Sequence, residues 1–183
     1  MNMFPMASFD LISNELADQC LKTWGHWLEG CNRPFGRQSF GLTIHGELLC
    51  VAVSASTVNA LCGGYPRNEI VELARLCSHP EHTELTRIGL RLWRVIAPGC
   101  WSRQYWPVRA LVSYSNNKRH KGDIYRFDGW QKIKEVPGGQ TGTNATYSRK
   151  KTYEAKTIWA FDLPLHAIVP RETKDVSGAQ TCP

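Results

Sequence analysis

Arg75, Ser113, Asp123 and Tyr125 are the side chains of this chain whose types and spacing fit transfer of an acyl group to an amine. In such a reaction a carboxylate takes a proton or aligns the attacking nitrogen, a phenol protonates the leaving group, and a guanidinium holds developing negative charge. Each also has a purely structural use. Arg75 can pair with Glu72 or Asp123 at the end of a sheet, and Asp123 can cap a helix. Ser113 can be a satisfied core hydroxyl, and Tyr125 a packing residue with its hydroxyl on a backbone carbonyl.

The elements that must position these groups are read from hydrophobic periodicity. Residues 108–130, VRALVSYSNNKRHKGDIYRFDGW, give an apolar strand from Ala110 to Tyr114 that stops at Asn116-Asn117. Lys118, Arg119, His120 and Lys121 follow as a basic loop, and Gly122-Asp123 opens a short helix. On that helix Ile124, Phe127 and Trp130 share one side, with Tyr125 directed elsewhere. Upstream, residues 70–77 (IVELARLC) predict a strand buried on both faces, and residues 85–96 a helix that Pro98-Gly99 ends before an aromatic loop at 101–107. This strand, helix, strand unit implies a parallel pair, with a crevice at the carboxyl ends where Arg75 and Ser113 lie.

The remaining elements complete a sheet. Residues 11–28 carry Leu16, Cys20, Trp24, Trp27 and Leu28 at helical spacing, with Asp10 or Ser13 as the cap. Residues 39–44 and 47–54 form a hairpin across His45-Gly46. Residues 61–67 are a loop, residues 131–136 and 157–163 are strands, and GGQTGTNAT is a flexible loop. The fold class is therefore α/β, a mixed central sheet flanked by helices. Residues 1–169 make one catalytic domain, and the polar tail 170–183 is expected to be disordered.

Composition narrows the function. With 183 residues, 42% of them hydrophobic, one globular core is expected. No apolar run is long enough to span a membrane, and Asp10 and Glu15 are foreign to a secretory leader, which predicts a cytoplasmic protein. Seven cysteines without CxxC spacing imply reduced thiols rather than a zinc ribbon or a disulfide framework. Six histidines show no HxH or HExxH pattern, and His26 is the candidate metal ligand. A net charge of +6 favours polyanions. Lys118, Arg119, His120, Lys121 and Arg126 interleave with aromatic residues, Trp106 among them, as an enzyme that grips phosphates and holds an extruded base requires. Arg149-Lys150-Lys151 is a second basic run.

The segment 108–130 resembles the region of GNAT-superfamily acyltransferases in which a strand leads to a helix ending in a glycine and an aromatic residue. More closely, VELARL (71–76), then VSY (112–114), then GxIYxxxGW over 122–130 is similar to the Mom-type DNA modification proteins of phages and prophages, a likeness spanning about residues 26–163. The resemblance implies a GNAT-like fold in a bacterial host cell that adds a carbamoylmethyl group to N6 of adenine in double-stranded DNA, shielding phage DNA from restriction. It also implies that Arg75, Ser113, Asp123 and Tyr125 are the active-site set. His26-Trp27 stands where relatives often carry a His-Tyr pair linked to iron. Acyltransferases that use coenzyme A follow the fourth strand with a QxxGxG-type turn, whereas this chain has SHPEHTELTRIG. Acyl-CoA and an aminoacyl-RNA are thus both open as donors. Two other readings stand beside this one: a GNAT N-acetyltransferase acting on a small-molecule or protein amine, and a DNA-binding module without catalysis.

Overall fold

The structure is a computed structural model that describes residues 6–140 and 152–164. Its scaffold is a seven-stranded mixed sheet in the order β1-β2-β3-β6-β7-β11-β8. In chain order the elements are β1 (Ala7–Ile12), α1 (Asn14–Thr23), β2 (Arg37–Ile44), β3 (Glu47–Ala55), the short hairpin β4 (Leu61–Cys62) and β5 (Tyr65–Pro66), and β6 (Ile70–Ser78). Then come α2 (Leu85–Gln104), β7 (Ala110–Asn116), α3 (Asp123–Phe127), β8 (Gln131–Val136), β9 (Gly139–Gln140), β10 (Thr152–Tyr153) and β11 (Lys156–Asp162). Among the described residues only β6 and β7 run parallel, as the strand, helix, strand pattern requires. The expected hairpin is present, with His45 and Gly46 both at positive φ in its turn.

The two faces are covered by different helices. On one, Leu90, Trp93, Ala97 and Trp101 of α2 pack on Phe40, Val71, Leu73 and Leu111. On the other, Ala17, Cys20 and Leu21 of α1 pack on Val51 and Val53. Gly89 lets α2 approach β3 closely, since a Cβ there would lie 2.6 Å from the Cys50 sulfur.

Three expectations are corrected. The first helix is shorter than residues 11–28, because residues 7–12 pair with β2 as an edge strand and Phe9 stacks on Phe40. Ser13 is the cap, its Oγ accepting the Leu16 N–H at 3.1 Å, so Leu16 is 40% exposed and Trp27 and Leu28 fall in the loop beyond. The second helix runs through Pro98 to Gln104. Burying the Trp101 indole contributes about 5 kcal/mol by area, against about 3 kcal/mol for an interior proline. In α3 the buried side is Tyr125, only 7% exposed, while Phe127 is 62% exposed. The helix spans five residues, too few for periodicity to decide its face, and Gly122 at φ +77° turns it so that Tyr125 stacks on Trp159. The expected disordered tail and the run 149–151 lie outside the described residues.

Candidate active site

The parallel ladder between β6 and β7 covers only Ile70–Leu73 against Ala110–Ser113. Beyond it a bulge leaves Ala74 unpaired between Leu73 and Arg75, which face Ser54 and Val53 of β3. The strands part there. A cavity of about 1070 Å³ opens between them, and Arg75, Ser113, Asp123 and Tyr125 all line it. The sequence placed these residues at the ends of two parallel strands and on the next helix, and the splay brings them to one cleft.

At the floor, the hydroxyls of Ser113 and Tyr125 are 2.8 Å apart, and Ser113 also lies 3.0 Å from the carbonyl oxygen of Leu73, to which it donates. Because the Ser113 proton goes to Leu73, the phenol donates to Ser113 in the resting state. Burial pushes the Tyr125 phenol up, the Ser113 hydrogen bond draws it down, and the charge of Glu72 adds to the rise. The phenol therefore keeps its proton at neutral pH, as a proton donor must.

Glu72 is the buried carboxylate of the cleft, and Arg33 donates to it at 2.7 Å. Burial pushes this carboxyl up, while Arg33, Arg75 and Lys156 pull it back. Sequence reasoning treated Glu72 only as a possible partner of Arg75. The available signal was its position inside a strand buried on both faces, where a charge needs a partner. Arg33, from a loop thirty-nine residues away in sequence, carried no such signal.

Arg75 does not pair with Glu72 or Asp123. Its Nε donates to the carbonyl of Gly30 at 2.8 Å and its Nη1 to that of Ala74 at 2.6 Å, tying the loop after α1 to β6. Its Nη2 makes no hydrogen bond among the described residues. Asp123 is exposed at the cleft mouth and pairs with Arg126 at 3.0 Å.

Lys118, Arg119, His120 and Lys121 form one lip of the cleft. Arg126 instead lines a neighbouring cavity of about 340 Å³. Trp106 does not line the cleft: its indole N–H donates to the Ile70 carbonyl at 3.0 Å and its ring packs on Trp101 and Tyr105. Six arginines and lysines line the cleft against three carboxylates, so the potential inside is positive.

His26 lies on the opposite lip. Burial, with Arg75 and His120, lowers its pKa to about 4, so the ring is neutral at pH 7. Its Nδ1 accepts the Leu28 N–H at 3.2 Å, which puts the proton on Nε2. No group of three potential metal ligands meets among the described residues. These residues do not fit an iron site. Nor do Cys31, Cys50 and Cys77 fit a nucleophile: burial raises Cys31, and it pushes Cys50 to about 12 and Cys77 to about 11.

The turn before α2 also departs from an open phosphate cradle. The amide of Glu81 donates to His79 Nδ1 at 3.3 Å and that of His82 to the His79 carbonyl at 2.9 Å, while Glu81 and Glu84 bring carboxylates to the helix start.

No protein-family model and no curated protein matches this sequence. Among solved structures, the N-acetyltransferase PseH of Campylobacter jejuni superposes with a TM-score of 0.52 at 12% identity, over 87% of this chain and 100% of that one. Aminoglycoside 6'-acetyltransferase type Ii gives 0.52 at 13%, over 90% and 99%. A GNAT family acetyltransferase from Elizabethkingia anophelis, with acetyl-CoA bound, gives 0.50 at 11%, over 86% and 99%. The fold is that of the GNAT acetyltransferases. No helix among the described residues is long and apolar enough to cross a membrane.

Proposed function

We propose that this protein is a GNAT-fold transferase that attaches a small acyl-derived group to an amine of DNA, adenine N6, within the cleft between β6 and β7. The observation that carries the reading is a proton-donating phenol on the floor of a cleft whose mouth is cationic. Polyamine substrates are themselves cations and are repelled by such a lining, whereas DNA is drawn to it. The sequence resemblance to Mom-type proteins supports the same acceptor.

In this mechanism N6 attacks the electrophilic carbon of the donor. The new N–C bond forms as the bond to the leaving group breaks, one N6 proton passes to the Asp123 carboxylate, and the leaving group takes the phenol proton of Tyr125. Ser113 turns its hydroxyl proton from the Leu73 carbonyl to the phenolate left on Tyr125, and the free edge of Arg75 meets negative charge developing on the donor. No step requires iron.

Nucleoside mass spectrometry on DNA from cells expressing the protein tests the reading. A mass-shifted deoxyadenosine is expected, and an unaltered adenine pool with donors available would sink it. A second reading, acetyl transfer from acetyl-CoA to a small-molecule or protein amine, is favoured by the fold neighbours, two of which hold acetyl-CoA. Thiol release from acetyl-CoA with an amine panel, in the absence of DNA, is its signature.

A further inference from the structure

The two lips of the cleft come from unrelated parts of the chain, yet one aromatic ring and one guanidinium join them. Trp27 lies in the loop after α1 and is 44% exposed, with Leu28 beside it. Arg119 lies in the loop after β7, and its guanidinium carbon sits 5.2 Å from the centre of the Trp27 ring. Both residues line the cavity whose floor carries Ser113 and Tyr125. Among the described residues the Arg119 side chain makes no hydrogen bond or ion pair, unlike its neighbour Lys118, which pairs with Glu154 at 3.3 Å. A tryptophan left half in water and a guanidinium held only by its face form a flat, apolar and cationic contact across the entrance.

We propose that Trp27 and Arg119 are the jaws of a stacking clasp that holds the acceptor purine after it leaves the duplex, above the Ser113–Tyr125 floor. The inference rests on DNA being the acceptor and adds the residues that hold the displaced base. An enzyme acting on a base must take it out of the stack, and the lost stacking has to be replaced by a planar surface. Indole and guanidinium faces supply that surface without reading base identity, and Lys118 and Lys121 on the same lip are placed to meet the adjoining phosphates. Entry of the base requires the clasp to part by about one ring thickness, since the guanidinium already lies over the indole.

The test uses the full chain and three probes: a short strand of abasic analogues with one central 2-aminopurine, the same strand with an abasic analogue at that position too, and coenzyme A alone. The wild type is expected to quench 2-aminopurine emission and to bind that strand about tenfold more tightly than the abasic one, the scale of one base stacked on an aromatic ring. Trp27→Ala should erase this preference while keeping the abasic affinity, and Trp27→Phe should restore most of it. Thermal unfolding of Trp27→Ala close to the wild type would exclude a folding defect. A preference that survives Trp27→Ala, equal weakening of both strands, or an effect confined to coenzyme A would each overturn the clasp. If the wild type binds neither strand and modifies no DNA, the DNA reading fails with it. Intact modification with a Trp27-insensitive preference removes the clasp alone.

Discussion

Tyr125 is held by three constraints at once: its ring stacks on Trp159, meets Trp130 edge-on, and its hydroxyl lies 2.8 Å from that of Ser113. Ser113→Ala leaves the Leu73 carbonyl and the phenol of Tyr125 without their shared partner, which is expected to cost about 1–3 kcal/mol of stability in urea unfolding and to reduce transfer. His26 gives a pH-dependent prediction. Its folded pKa, about 4, lies below the ordinary 6.5, so the unfolded chain binds more protons between those values. The contribution is fully present above pH 6.5 and is lost as pH falls towards 4. The shift corresponds to at most about 3 kcal/mol, and less because water reaches part of the ring. His26→Asn should flatten the dependence of the urea midpoint on pH across this window. An unchanged slope would mean that His26 titrates alike in both states.

At the level of elements, the strand and helix around the site depend on one turn. Gly122 has φ +77°, and a Cβ there would lie 2.3 Å from the Trp159 ring. Gly122→Ala combines a left-handed backbone with overpacking and is expected to cost roughly 2–5 kcal/mol, read as a lowered denaturation midpoint. The hairpin β2–β3, the parallel pair β6–β7 and the strand β11 were legible because each is an apolar run bounded by turn residues. The edge strand β1 was not, since SFDLI is short and its pairing with β2 is a long-range choice that no local pattern encodes. The extension of α2 past Pro98 was hidden by a local rule that the burial of Trp101 overrides. At the site, the order of strands and helix was enough to bring Arg75, Ser113, Asp123 and Tyr125 to one cleft. The loop after α1 was not readable in the same way: it delivers Arg33 to Glu72 and Trp27 to Arg119 through contacts between segments far apart in sequence.

For the whole molecule, the net charge of +6 matters through its distribution, with a cationic lip over a cleft of about 1070 Å³. DNA affinity is therefore expected to fall linearly with salt on a log–log plot, and Lys121→Gln to reduce the slope by about one. A slope unchanged in that variant would remove Lys121 from the phosphate contacts. Tyr125→Phe separates catalysis from binding, because it deletes one buried hydroxyl and leaves the ring and the cationic lip in place. The most direct measurement follows DNA affinity and the yield of mass-shifted deoxyadenosine in parallel for the wild type and Tyr125→Phe. The account predicts affinity within about twofold and a yield lowered about 100-fold or more, the scale of a lost general acid. Equal yields from the two proteins would contradict it.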